Sequence, residues 1–317
     1  MTEKLIVIAL GGNALLQRGQ RGTFGEQYQN VGTTAKKIAD LIEQGYRIVL
    51  THGNGPQVGA TLLRHEAAKD TVPALPLDAC GAETQGLVGY MIQQSLRNEL
   101  KARRIEKYVV SVVTRTIVDK HDSAFQNPTK PIGPFYSKDE AERIVKRRPD
   151  LFIKEDAGRG YRRFVPSPDP KIIAERFAIK ALVDAGFVVV ACGGGGIPII
   201  EEDGHATGVE AVIDKDLAGQ RLATLIGAEV FVILTDVPGA YINYGAAGQE
   251  MISEITSGRL RNYLNQGHFK EGSMAPKVEA SIRFVESGGE RAIIADLGSL
   301  IEALENRTGT HVVAPKA

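Results

Sequence analysis

Short apolar runs alternate with amphipathic stretches along most of the chain. Leu5 to Leu10 reads LIVIAL and stops at Gly11-Gly12, the pattern of a buried strand that turns sharply at its carboxyl end. Ile38, Leu41 and Ile42 then share one helical face, which stops at Gly45, and YRIVLTHGNG from Tyr46 repeats the strand-to-glycine pattern. Residues 84 to 104 predict a helix and KYVVSVVT from Lys107 another buried strand. The later cycles are plainer. A helix over Ala174 to Asp184 closes near Gly186 before FVVVACGGGG; one over Leu217 to Leu225 closes at Gly227 before VFVILTDV; a last one after Pro276 precedes RAIIADLG. Strands and helices in strict alternation predict an α/β chain, a parallel sheet covered by helices.

The middle breaks this rhythm. Between Asp119 and Pro170, prolines stand at positions 128, 131, 134, 149, 166, 168 and 170, among charged residues and short apolar pieces such as LFI and YRRFV. Ser137 followed by Glu140 is the spacing of a capping box, so a brief helix is predicted to start there. Residues 119–170 are therefore expected to leave the sheet as a small hairpin-bearing subdomain or lid, inserted in a single domain spanning 1–317. A surface decoration with no chemical task is the plainer reading of the same segment.

Charge narrows the partners. With 38 Lys+Arg against 38 Asp+Glu the net charge is zero, which disfavours a broad nucleic-acid surface but permits a local cluster around one small anion. Cys80 and Cys192 are the only cysteines, too few for a thiolate cage or a disulfide framework, and they fit a reducing compartment. Met1 to Lys4 is too short a lead-in for a signal peptide, and no apolar run reaches membrane-spanning length. The expectation is a cytoplasmic protein with no membrane and no nucleic-acid partner.

Candidate chemistry lies where the strands end. Gly11-Gly12-Asn13, Gly53-Asn54-Gly55 and Gly193 to Gly196, which includes Gly194 and Gly195, all follow predicted strands. Glycine lets backbone N–H groups approach anionic oxygens, and ligands of open α/β sheets gather at these carboxyl ends. One such cluster is often only a turn; three in one chain point to a site. None has the P-loop spacing or the dinucleotide fingerprint. Lys215 lies between Asp214 and Asp216 at a predicted helix start, Lys277 follows Pro276 at another, and Lys130 sits in NPTKPIG within the excursion. Ammonium groups beside free helix N–H groups suit a moving phosphoryl group, whose equatorial oxygens carry charge. Asp216 has two readings, a helix cap or an organiser of lysines.

Nine ordered segments then carry a resemblance over essentially the whole chain: ALGGNAL (9 to 15), LTHGNGPQVG (50 to 59), DACGAETQGLVGYMIQQSL (78 to 96), VDKHDSAFQNPTKPIG (118 to 133), VPSPDP (165 to 170), VVVACGGGGIPI (188 to 199), AVIDKDLAGQRLA (211 to 223), LTDVPG (234 to 239) and GSMAPKVEA (272 to 280). The sequence resembles the carbamate kinases of the amino acid kinase family. That resemblance implies a three-layer α/β/α sandwich around a mainly parallel sheet, a protruding subdomain over the active site and a homodimer. It also implies reversible transfer between ATP and carbamate, giving ADP and carbamoyl phosphate with Mg2+. No protein ligand for the metal is assigned.

Residue by residue, Gly11, Gly12, Asn13, Gly53, Asn54 and Gly55 match loops that hold the acceptor and the transferring group. Lys130 matches the lysine reaching in from the subdomain; Lys215 and Asp216 match a phosphate-contacting lysine and the aspartate that organises the lysines. Lys277 matches the lysine attending the nucleotide phosphates. Gly194, Gly195 and Asp236 are placed on the nucleotide side, and Tyr244, Met274 and Pro276 are candidates for the adenine and ribose environment. Acetylglutamate kinases carry a lysine just before the first GG pair, where this chain has Ala9 and Leu10, so Lys130 is the substitute source of charge. Two other readings stay open at this point: a kinase for a different acceptor, and a nucleotide-responsive module without turnover.

Overall fold

The computed structural model describes residues 4–17, 19–156, 158 and 160–315. Met1 to Glu3, part of the lead-in to the first strand, lie outside them. Leu5 to Leu10 is a strand whose six residues are all buried, because both of its faces are covered. Ile6, Ile8 and Leu10 pack with Val31, Ile38, Leu41, Met91 and Leu96 of the helices Phe24–Glu43 and Leu77–Ala102. Leu5, Val7 and Ala9 point the other way, toward Leu222, Phe231, Val278 and Phe284, most of them on the helices Lys215–Leu225 and Met274–Glu286. Period-two alternation thus feeds two hydrophobic layers, each buried side chain contributing on the order of 1.5–3 kcal/mol.

Among the described residues the central sheet has eight strands. Their spatial order is Glu254–Thr256, Thr310–Val313, Arg291–Asp296, Val230–Thr235, Leu5–Leu10, Arg47–His52, Val188–Val190 and Val109–Ser111. Every pairing is parallel except Arg291–Asp296 against Thr310–Val313. The architecture is the three-layer α/β/α sandwich around a mainly parallel sheet.

Differences from the sequence-based elements are local and have causes. KYVVSVVT contributes only Val109–Ser111 and is half exposed, because it forms the outer strand with a single neighbour. The helix expected from residue 84 begins at Leu77, and the last helix begins at Met274, not after Pro276. Proline in a helix's first turn lacks only an N–H that has no intrahelical partner there, so Pro276 sits inside the helix without breaking it.

A second, four-stranded sheet was not foreseen: Arg115–Val118 lies parallel to Ile197–Glu202, which pairs with His205–Gly208, while Pro170–Ile173 runs antiparallel to Arg115–Val118. Val118 stands opposite Pro170, so the intervening chain leaves and returns at one point. It folds as a three-stranded antiparallel sheet, Lys130–Tyr136 and Phe152–Glu155 flanking Tyr161–Val165, with the helix Lys138–Arg147 alongside. The capping box forms as its spacing predicts, Glu140 N–H donating to Ser137 and Ser137 N–H to the Glu140 carboxylate.

Candidate active site

The first strand ends where its neighbour crowds it. A Cβ on Gly11 would lie 2.5 Å from the Leu234 carbonyl oxygen, so only glycine lets the chain turn there into Gly12–Ala14. Gly12 and Asn13 are exposed, facing a cleft of about 330 Å3. Opposite them stand Asp214, Lys215 and Asp216, Thr235 and Asp236 at the end of Val230–Thr235, and Gly272, Ser273 and Lys277. Two helices begin at this cleft, at Lys215 and at Met274. The positive ends of their dipoles favour an anion.

Asp214, not Asp216, caps the Lys215 helix: its carboxylate accepts from the N–H groups of Asp216 at 3.0 Å and Leu217 at 3.4 Å. Asp216 is thereby free for the lysines. Its side chain, 4% exposed, accepts from Lys277 Nζ at 2.8 Å through one oxygen and from Lys215 Nζ through the other. Burial alone would push this carboxyl up, but the two ammonium groups outweigh it and hold it down at about 2. Burial lowers Lys215, and Lys277 adds to that, against the raising effect of Asp216. Lys130 Nζ reaches the second Asp214 oxygen at 3.0 Å from the root of the excursion. Five charged side chains are therefore wired as Lys130–Asp214, then Lys215–Asp216–Lys277, and the last four line one wall of the cleft.

The other glycine clusters support this wall from behind. The stem of Lys215 runs past Gly53, where a Cβ would stand 3.2 Å from Lys215 Cδ. Asn54 donates to Thr84 Oγ1 at 2.8 Å, and Gly55 opens the helix Gly55–Ala68. Gly194 has φ +65, and a Cβ there would strike the Asn54 amide at 2.3 Å; one on Gly195 would strike the Ile213 carbonyl at 2.5 Å. Gly194 and Gly195 line neither this cleft nor its neighbour. They lie against Asn54 and the segment leading to Asp214.

A second cleft of about 240 Å3 shares Thr235, Asp236 and Ser273 with the first. Tyr241, Tyr244, His268, Phe269 and Met274 line it, an apolar and aromatic surface suited to a flat ring. Tyr244 is 65% exposed and tilts against Tyr241 at 5.7 Å between centroids. Pro276 does not line it; it sits half-buried beside Lys277 in the helix. Tyr241, His268 and Phe269 escaped the sequence reading, since no local pattern ties them to Met274.

Two further residues were missed. Gln85 is buried and donates to the carbonyls of Thr114 and Gly193, each at 3.0 Å, while accepting from Thr114 N–H at 2.8 Å. It clamps the Gly193 loop onto the body from 108 residues away. His52 is 1% exposed, and a Cβ on Gly193 would meet its ring at 2.4 Å. Its Nδ1–H donates to the Gly53 carbonyl at 2.9 Å, because a carbonyl only accepts. Burial, then nearby Lys215, push it down to about 4, so it stays neutral beside the lysines at pH 7.

The sign of its effect on stability follows. A histidine depressed from 6.5 to about 4 contributes nothing lost above pH 6.5, and its contribution falls away as pH drops from 6.5 toward 4. The total is on the order of 3 kcal/mol. Denaturant unfolding at pH 7 and pH 4.5 should show a smaller loss for His52→Gln than for the parent; equal losses would remove His52 from this role. The buried His311, also lowered, contributes equally to both proteins and cancels.

Comparison with known proteins bears on this geometry. The model describing the amino acid kinase family matches residues 4–296. A carbamate kinase of Thermococcus kodakarensis is 58% identical over 313 residues, covering 98% of this chain and 99% of that protein. One of Pyrococcus furiosus is 56% identical over 312 residues, with 98% and 99% covered. The structure of a Giardia lamblia carbamate kinase bound to AMP-PNP matches with a TM-score of 0.96 at 43% identity, over 99% of each chain.

Proposed function

Because the chain belongs to the amino acid kinase family, we propose that it is a carbamate kinase, moving a phosphoryl group between ATP and carbamate. The observation that carries the chemistry is Asp216 holding Lys215 and Lys277 together at the starts of two helices. A carbamate oxygen attacks the terminal phosphorus as the bond to the ADP oxygen breaks, and charge spreads over three equatorial oxygens between them. Lys215, Lys277 and the positive ends of the two helix dipoles meet that charge; preorganised groups of this kind contribute most of the rate in such transfers. Adenine is assigned to the cleft of Tyr244 and Met274, its phosphates to the wall beside Asp236, and carbamate to the side of Gly11, Gly12, Asn13, Gly53, Asn54 and Gly55. The excursion over 119–170 acts as a lid that brings in Lys130 and excludes water.

Mg2+ fits this donor set. Asp214 and Asp216 are committed to lysines, whereas exposed Asp236, among the described residues, accepts only from the Thr235 hydroxyl, at 3.1 Å. One carboxylate with nucleotide phosphates and water is an ordinary magnesium environment. Asp236 would hold the ion, which supplies countercharge to the phosphates.

A cytoplasmic homodimer completes the reading. Among the described residues no helix is long and apolar enough to cross a membrane. The outer strand Val109–Ser111 has one open edge, and Tyr90, Tyr108 and Val113 near it are exposed by 53%, 61% and 54%. An open edge with apolar neighbours invites pairing with a second copy. Sedimentation should give twice the 34.2 kDa chain mass.

The test of function is ADP phosphorylation by carbamoyl phosphate with Mg2+, with acetyl phosphate and N-acetylglutamyl phosphate alongside. Preference for carbamoyl phosphate is expected. Faster turnover of another acyl phosphate would reassign the acceptor, and no turnover with any of them would leave a nucleotide-responsive module.

A further inference from the structure

His65, Cys80 and Glu83 bring an imidazole nitrogen, a thiol sulfur and a carboxylate oxygen within 4.8 Å of one another, away from the lysine wall. His65 comes from the helix Gly55–Ala68, while Cys80 and Glu83, three residues apart, share a face of Leu77–Ala102. His65 Nε2 stands 3.2 Å from Glu83 Oε2. By itself this is an ion pair above a core cysteine, since Cys80 is fully buried with Val58, Leu77, Ile132 and Val165.

Three observations go further. The sulfur has a weak commitment, its contact with the Leu75 carbonyl being 3.8 Å. Asp78, Glu83 and Glu210 surround it with negative charge, a field that attracts a cation. His65 and Leu75 also line a cleft of about 550 Å3 between the body and the excursion, so the imidazole side of the cluster faces open space, while Cys80 and Glu83 do not line it. Mixed nitrogen, sulfur and oxygen donors select zinc-like ions and discriminate against Mg2+, which prefers oxygen alone.

We propose that Cys80, His65 and Glu83 form a site for one zinc-class divalent cation, its fourth position open to this cleft. Binding transfers the Cys80 proton to solvent, and the thiolate and the Glu83 carboxylate together balance the ion's two charges. Ligand atoms around such an ion stand roughly 3.5 Å apart, so the three side chains close inward by about an ångström. The site sits at the root of the excursion, because Ile132, two residues from Lys130, packs in the same cluster as Cys80.

Cobalt(II) as the probe separates this site from oxygen ligation at the lysine wall, since only a thiolate gives intense sulfur-to-cobalt charge-transfer absorption. Titration of the full chain with cobalt(II) alone should saturate at one such chromophore per chain, and zinc should displace it. Cys80→Ser should abolish the band, and His65→Ala should weaken binding by more than about a hundredfold, beyond the roughly 10–100-fold typical of outer-shell partners. Glu83→Gln, an exposed change that leaves the core intact, should weaken it as well. Absence of a thiolate band in the parent overturns the proposal, as does a band that survives in Cys80→Ser, which would place the sulfur donor at Cys192.

Discussion

Asp216→Asn is expected to lower kcat/KM for phosphoryl transfer by about two to three orders of magnitude, the size of losing one preorganised charge partner. Asparagine keeps the shape and one acceptor but removes the countercharge that two ammonium groups share through the Lys277 contact at 2.8 Å and the Lys215 contact. Lys215 is already lowered by burial and by Lys277; without Asp216 its largest raising influence disappears. The ammonium then gives up its proton at a lower pH than in the parent. Activity of the variant should therefore recover partly as pH falls, because a lower pH restores the charged lysine. Lys215→Ala should lose at least about tenfold with no such recovery, the charge being gone at every pH. Initial rates from pH 6 to pH 9 over a range of ADP and carbamoyl phosphate concentrations, on protein with unchanged circular dichroism, decide the matter. Parent-like kinetics in folded Asp216→Asn would mean that the lysines need no organiser.

The sheet was legible because burial on both faces leaves apolar runs such as LIVIAL and VFVILT that need no distant partner to be read. The second sheet was not, since Arg115–Val118 and Pro170–Ile173 are four-residue strands whose pairing spans the whole excursion. Lysines at helix starts could be read locally, from Asp214-Lys215-Asp216 and Pro276-Lys277. Which aspartate caps and which binds lysine could not, because the deciding contact joins Asp216 to Lys277 across 61 residues. At Gly194 the glycine character was evident, but the atom filling the space beside it belongs to Asn54. Glycine marks a close approach without saying whether a ligand or the protein itself approaches. His52 and Gln85 lay inside the DACGAETQG and LTHGNG segments, yet a neutral buried histidine and an amide clamp carry no periodicity or charge pattern to expose them.

Lys130→Ala separates the lid from the nucleotide pocket. Lys130 opens the strand Lys130–Tyr136, paired with Val165, and its ammonium meets Asp214 at 3.0 Å while its side chain stays 30% exposed. Among the described residues its only charged partner is the one that caps the Lys215 helix, and it does not line the cleft of Tyr244 and Met274. Alanine leaves the cap in place, because Asp214 Oδ1 still accepts from Asp216 N–H. Nucleotide affinity should therefore stay within about threefold of the parent, a change below 1 kcal/mol. Transfer is different, since the charge that the lid carries toward acceptor and phosphoryl group is lost, and kcat should fall by about tenfold or more. Lys130→Arg keeps the charge but replaces a point ammonium with a planar fork, so it should restore only part of the rate. Calorimetry for ADP beside initial rates with carbamoyl phosphate measures both quantities on the same preparation. A large loss of ADP affinity with normal kcat at saturation would move Lys130 into the nucleotide pocket, and the excursion would then cover the nucleotide instead of completing the acceptor side.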